Sequence, residues 1–179
     1  MAGKSDSNRQ RGAPQRLGRA AWQAGLVVLV LYALHLYQVR DTVEGPAPAF
    51  AGVDLDGRSL SLAEHAGRPV LVHFWATWCP VCRAEAGNIS DLAEDHAVIT
   101  IALEDTPPAQ FKRFLAEREL AYPVIRDPEG ELAARYGVRG VPASFVVDAD
   151  GNIRFTTIGY TTEAGLRLRM WWAERQRDG

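Results

Sequence analysis

The chain has 179 residues, enough for one domain of ordinary size and an appendage. With 47% hydrophobic and 23% charged residues it is globular in composition, and a net charge of -2 gives no global electrostatic case for nucleic-acid binding. The charge is unevenly spread: residues 1–40 carry six basic side chains against Asp6 alone, a net of +5, which leaves -7 for the remainder. A basic head on an acidic body implies different surroundings for the two parts.

Residues 1–19 are Arg-rich and polar with no apolar period, and read as a disordered cytoplasmic tail. Residues 20–39 contain no Asp, Glu, Lys or Arg and have the length of a membrane-spanning helix. Trp22 and Tyr37 suit its two interfaces, and the preceding positive charge predicts a cytoplasmic tail and an exported remainder. The competing reading is a cleaved signal peptide, for which Ala47-Pro48-Ala49 offers an A-x-A pattern some distance past the apolar run. Residues 40–49 read as a linker and 50–179 as the folded domain.

Within that domain, Val53 to Leu60 predicts a hairpin turning at Asp56-Gly57. Ser61 and Glu64 have the spacing of a capping box for a short helix ending by Gly67. Val70 to Trp75 is a β-branched and aromatic strand. A helix follows Cys79, with Pro80 in its first turn and Arg83, Glu85, Asp91 and Glu94 expected outward. Val98 to Leu103 is a near-continuous apolar run that suits a buried parallel strand. Thr106 is placed to cap a helix with Pro107 at its first position and an apolar stripe of Phe111, Phe114 and Leu115. A short strand at Pro123–Ile125, a helix from Glu129 to Tyr136, a hairpin over Ala143–Asp148 and Ile153–Ile158, and a last helix from about Thr162 to Arg175 complete the order.

Chemistry concentrates in Phe74-Trp75-Ala76-Thr77-Trp78-Cys79-Pro80-Val81-Cys82, which holds both cysteines of the chain. At the strand-to-helix junction, Cys79 would feel the helix N-terminus, which favours its thiolate, and Cys82 would face it from one turn further in. Zinc would require two more ligands, and His35, His65, His73 and His96 form no second paired motif, so no metal is expected. A bridge closing so short a loop constrains the unfolded chain little, so a redox-active dithiol is favoured over a structural disulfide. Two thiolates would also suit Cu(I), so a soft-metal binding module stays open beside the redox reading.

FWATWCPVCRAE resembles the active-site motif of the thioredoxin superfamily, and within it the membrane-anchored TlpA-like branch, with the suppressor-of-copper-sensitivity D-like oxidoreductases as the nearest type. The resemblance covers roughly Ala47 to Trp172. It implies an α/β thioredoxin fold with an N-terminal extension and a central insertion between about residues 100 and 130, preceded by one transmembrane helix. It implies Cys79 as nucleophile and Cys82 as resolving cysteine, with no cofactor besides their disulfide. Gly140-Val141-Pro142 resembles the loop that faces the disulfide with a cis proline, and Trp75 and Trp78 resemble the aromatic pair around the site. Trp78, Pro80, Val141 and Pro142 are therefore the candidate substrate-binding residues.

Two further candidates concern protons. Glu85 matches an acidic position of the branch, and His73 stands where many thioredoxins carry a buried Asp. Gly87 replaces the proline that often kinks the helix. The implied partners are exported protein thiols or disulfides and a membrane electron-donor protein, at the bacterial inner membrane with the catalytic domain in the periplasm. The direction favoured is reduction; apocytochrome c reduction is the alternative within the same chemistry, and a link to copper tolerance is implied.

Overall fold

The computed structural model describes residues 22–23, 25–30 and 42–175. The chain divides after Arg40 into two units. In the first, residues 22–23 and 25–30 are helical and exposed; the rest of the expected span 20–39, and the tail 1–19, lie outside the described residues. Among the described residues no helix is long and apolar enough to cross a membrane.

The second unit is built on a six-stranded sheet ordered β1-β8-β7-β4-β5-β6. Its strands are β1 (Gly45–Pro46), β4 (Val70–Trp75), β5 (Ala97–Ala102), β6 (Val124–Arg126), β7 (Ala143–Val147) and β8 (Asn152–Ile158). β4, β5 and β6 run parallel, whereas β7, β8 and β1 pair antiparallel. Every residue of β4 is buried, as a strand covered on both faces requires. The helices are α1 (Pro80–Ala93), α2 (Pro108–Glu117), α3 (Glu131–Arg135) and α4 (Glu163–Arg175).

Strand alternation splits the core in two. Leu71 and Trp75 face a layer that holds Cys79, Cys82, Ile89, Phe111, Leu166 and Met170, which belong to α1, α2 and α4. Val70, Val72 and Phe74 face the other layer, with Leu132 and Tyr136. Two neighbouring aromatics thus anchor opposite cores. Phe74 packs on Tyr136 and Phe145, and Trp75 on Phe111, Phe114 and Tyr122. In α4, Leu166, Met170 and Ala173 are the buried stripe, while Trp171 and Trp172 stay exposed.

Several elements differ from their expected form. Residues 45–46 are an edge strand on β8, and Ala47 N–H adds a 2.8 Å bond to the Gly151 carbonyl, so the linker is partly sheet. Ser61 and Glu64 meet side chain to side chain at 3.1 Å, and Ser61 makes no side-chain cap to the backbone; the segment after it, Leu62–His65, is a single 3-10 turn. α2 begins at Pro108 with Pro107 as an uncapping N-cap, because the Thr106 hydroxyl bonds Glu104 instead. α3 starts only at Glu131, since Gly130 takes a left-handed conformation (φ 69°) in the turn after Asp127.

The predicted hairpin is present as β2 (Ala51–Val53) and β3 (Ser59–Ser61), with Gly57 at φ 82° in its turn. It lies against β6. A Cβ at Gly52 would come within 2.8 Å of the Ile125 side chain, so this close approach needs glycine. Gly87 leaves α1 continuous from Pro80 to Ala93.

Candidate active site

The site begins where β4 ends. Ala76–Trp78 carries the chain from the sheet into α1, and the Cys79 N–H closes this turn on the Ala76 carbonyl at 3.3 Å. Cys79 is the N-cap of α1 in extended conformation, and its sulfur accepts the Cys82 N–H at 3.1 Å. Pro80 occupies the first helical turn, where no N–H is missed. Cys79 and Cys82 form a disulfide with their Cα atoms 5.3 Å apart. The free N–H groups and dipole of α1 converge on Cys79, which favours a thiolate there once the bridge is reduced.

The loop before β7 approaches from the other side. Val141–Pro142 is a cis peptide bond, and the Val141 carbonyl oxygen lies 3.6 Å from Cys79 Sγ. Pro142 is buried and accepts the Gly159 N–H at 2.9 Å, which ties the loop to the end of β8. Beside the disulfide the surface is apolar and open: Trp78 is 62% exposed, and Pro80 and Val81 are also exposed. The structure thus gathers Trp78, Pro80, Val141 and Pro142 about Cys79. Trp75, the other member of the expected aromatic pair, sits beside the cysteines but does not reach the surface. It is buried in the layer behind the two cysteines, and its indole N–H has no partner.

Two ionisable groups lie in the interior. Glu85, expected outward on α1, is 0% exposed, and both carboxylate oxygens lack a hydrogen-bond partner. Burial pushes its carboxyl up to about 7, only partly offset by the nearby Thr161 backbone N–H. The cover comes from the loop after β8, which Asn88 holds through its side-chain amide to the Thr161 carbonyl (2.9 Å) and the Tyr160 hydroxyl (3.3 Å). His73, in the middle of β4, is buried and shares a 2.9 Å hydrogen bond with Ser144 on β7 through Nδ1. Burial drives its imidazole down to about 3, so it is neutral across the physiological range.

One residue of the site has no signature in the sequence. Glu104, two residues past β5, accepts bonds from the Thr77 N–H and hydroxyl and from the Thr106 hydroxyl. The parallel pairing of Trp75 with Ala102 sets Thr77 and Glu104 at the same offset beyond their strands. That offset could have found the pair, but only with the strand register in hand.

Residues 43–156 match the family described as AhpC/TSA. The chain belongs to the AhpC/TSA family. Relatives in sequence agree with the geometry. The thiol:disulfide interchange protein DsbE of Pseudomonas fluorescens biotype C is 37% identical over 154 residues, 79% of this chain and 86% of that protein. The thiol-disulfide oxidoreductase ResA of Bacillus thuringiensis subsp. konkukian is 35% identical over 111 residues, which cover 60% of this chain and 64% of the relative. The chain therefore spans just under two thirds of that ResA. Among solved structures, a thioredoxin-family thiol:disulfide interchange protein of Chlorobium tepidum TLS superposes with a TM-score of 0.64 at 30% identity, over 74% of this chain and 98% of that one. This AhpC/TSA member is a thioredoxin-like protein disulfide oxidoreductase.

Proposed function

We propose that the chain is a membrane-anchored oxidoreductase that reduces disulfides of exported proteins in the periplasm through Cys79 and Cys82. The observation that carries the chemistry is Cys79 at the N-cap of α1, bonded to Cys82 and facing the Val141–Pro142 loop. The charge-free run at 20–39 behind a basic tail supports the inner-membrane anchor. A membrane protein supplying electrons would return the disulfide to the dithiol, and a contribution to copper tolerance belongs to the same reading.

In the reducing direction, the Cys79 thiolate attacks one sulfur of a substrate disulfide. A mixed disulfide forms, and the other substrate sulfur leaves as a thiolate and takes a proton. Cys82 then gives its proton to a base and attacks Cys79 Sγ. The second substrate sulfur leaves and is protonated, so two electrons have passed to the substrate and Cys79–Cys82 is oxidised. Glu85 is the better base for Cys82. It stands one helical turn from it, and a carboxyl held near 7 is matched to the working pH. His73, held near 3, is a weak base bound to Ser144. Trp78, Pro80 and Val141 form the contact surface, where an extended segment of substrate can lie along the loop backbone.

Trapping tests the assignment. Cys82→Ala should accumulate mixed disulfides with exported proteins, visible as bands on non-reducing gels that dithiothreitol removes. Cys79→Ala should trap few or none. Equal trapping by both variants, or by neither, contradicts the roles given to the two cysteines.

A further inference from the structure

Thr77 lies between the end of β4 and the Trp78–Cys79 pair. All of its polar atoms are engaged. Its N–H donates to Glu104 Oε1 at 2.5 Å, its hydroxyl donates to Glu104 Oε2 at 2.9 Å, and its carbonyl accepts from the Arg83 guanidinium at 3.5 Å. Glu104 Oε2 also accepts the Thr106 hydroxyl at 2.8 Å. Hydrogen bonds to a carboxylate are among the stronger ones in proteins, and three converge here from two separate segments.

Trp78 is the residue most dependent on this arrangement. It stands between Thr77 and Cys79, and at 62% exposure its side chain is packed by little of the protein itself. Its direction is therefore set mainly by the backbone on either side. That backbone is fixed at Cys79 by the helix cap and at Thr77 by Glu104.

We propose that Glu104 is a positioning residue of the redox loop, holding Ala76–Cys79 so that Trp78 is presented to polypeptide substrates beside the disulfide. The assignment rests on the exchange chemistry proposed for Cys79. Glu104 touches no reacting atom. Its effect is on docking of a polypeptide disulfide, and a small disulfide that needs only the Cys79 sulfur bypasses it.

The test compares two substrates for the full-length chain, with dithiothreitol as electron source: a small aromatic disulfide, and insulin as the polypeptide disulfide. Glu104→Ala should leave the rate with the small disulfide within about twofold of the parent and raise KM for insulin roughly tenfold, a loss of about 1.4 kcal/mol in binding. Thr77→Val deletes one bond and keeps the backbone bond to Glu104, so it should show the same split at smaller size. It carries the test if Glu104→Ala does not fold. Glu104→Gln, which keeps a carbonyl oxygen for the Thr77 N–H, should recover part of the insulin KM. An unchanged insulin KM, or an equal loss with both disulfides in Thr77→Val, overturns the proposal. A parent chain inert toward both disulfides removes the Cys79 chemistry and this assignment with it.

Discussion

Glu85 and His73 have lost their water to the same interior, and burial disfavours the charge on each. The consequences for stability have opposite signs. Unfolded, Glu85 gives up its proton near 4.5; folded, it keeps it to about 7. Between those values the folded state binds more protons, so stability falls as pH rises, by about 3 kcal/mol once both states are ionised. His73 behaves conversely. The unfolded chain takes up its proton near 6.5 and the folded chain only near 3, so stability falls as pH drops through that window. From about pH 4.5 to 6.5 the two slopes oppose one another. Urea titrations of the oxidised protein should therefore show that Glu85→Gln abolishes the decline toward pH 7, and that His73→Phe removes the decline on the acid side. The same pair separates in kinetics. Glu85→Gln should slow resolution of a preformed mixed disulfide by roughly 10²-fold, with the loss shrinking as pH rises and Cys82 ionises unaided. His73→Phe should resolve within a few-fold of the parent in the same stopped-flow measurement. The reverse ranking would transfer the base role to His73.

Among the elements, the β7–β8 hairpin hangs on one carboxylate. Asp148 is buried and accepts the N–H groups of Asp150 (3.0 Å) and Asn152 (2.8 Å) on Oδ1, and the Arg154 guanidinium (2.5 Å) on Oδ2. Asp148→Asn keeps the shape but sets an amide NH2 against one of these donors. A cost of about 1–3 kcal/mol is expected, read from the urea midpoint. The turn itself was legible, since Asp150-Gly151-Asn152 breaks two β-branched runs. So were β4, β5, α1 and α4, whose apolar periods are long and unambiguous. The elements that escaped are those made by a neighbour. Gly45-Pro46 has the composition of a linker and becomes a strand only because β8 offers it an edge. Glu85 follows two helical residues that face solvent, Arg83 and Ala84, and nothing local announces the Gly159–Thr161 loop that covers it. Glu104 looks like one more surface acid until the register of β4 on β5 sets it beside Thr77. The cysteines were plain because their chemistry depends on local spacing. The groups that tune and orient them come from distant segments.

At the scale of the whole molecule, the expected topology makes its own prediction. Protease added outside spheroplasts should remove the Cys79 domain, and the intact protein should sediment with membranes. A soluble, protected chain would remove the anchor from the proposed function. The sheet also bears on how the chain can be processed. Its two outer strands are short, β1 with two residues and β6 with three. β8, with seven residues, is shielded at its start by Gly45, Pro46 and the bond from Ala47. A cut after Ala49, as the signal-peptide alternative requires, would take that cover away. The start of β8 would then be uncovered, adding its peptide groups to the edge open to a strand from a second copy. A form cut there would lose the two-residue cover over Asn152 and Ile153 and so present a longer open strand edge to a second copy.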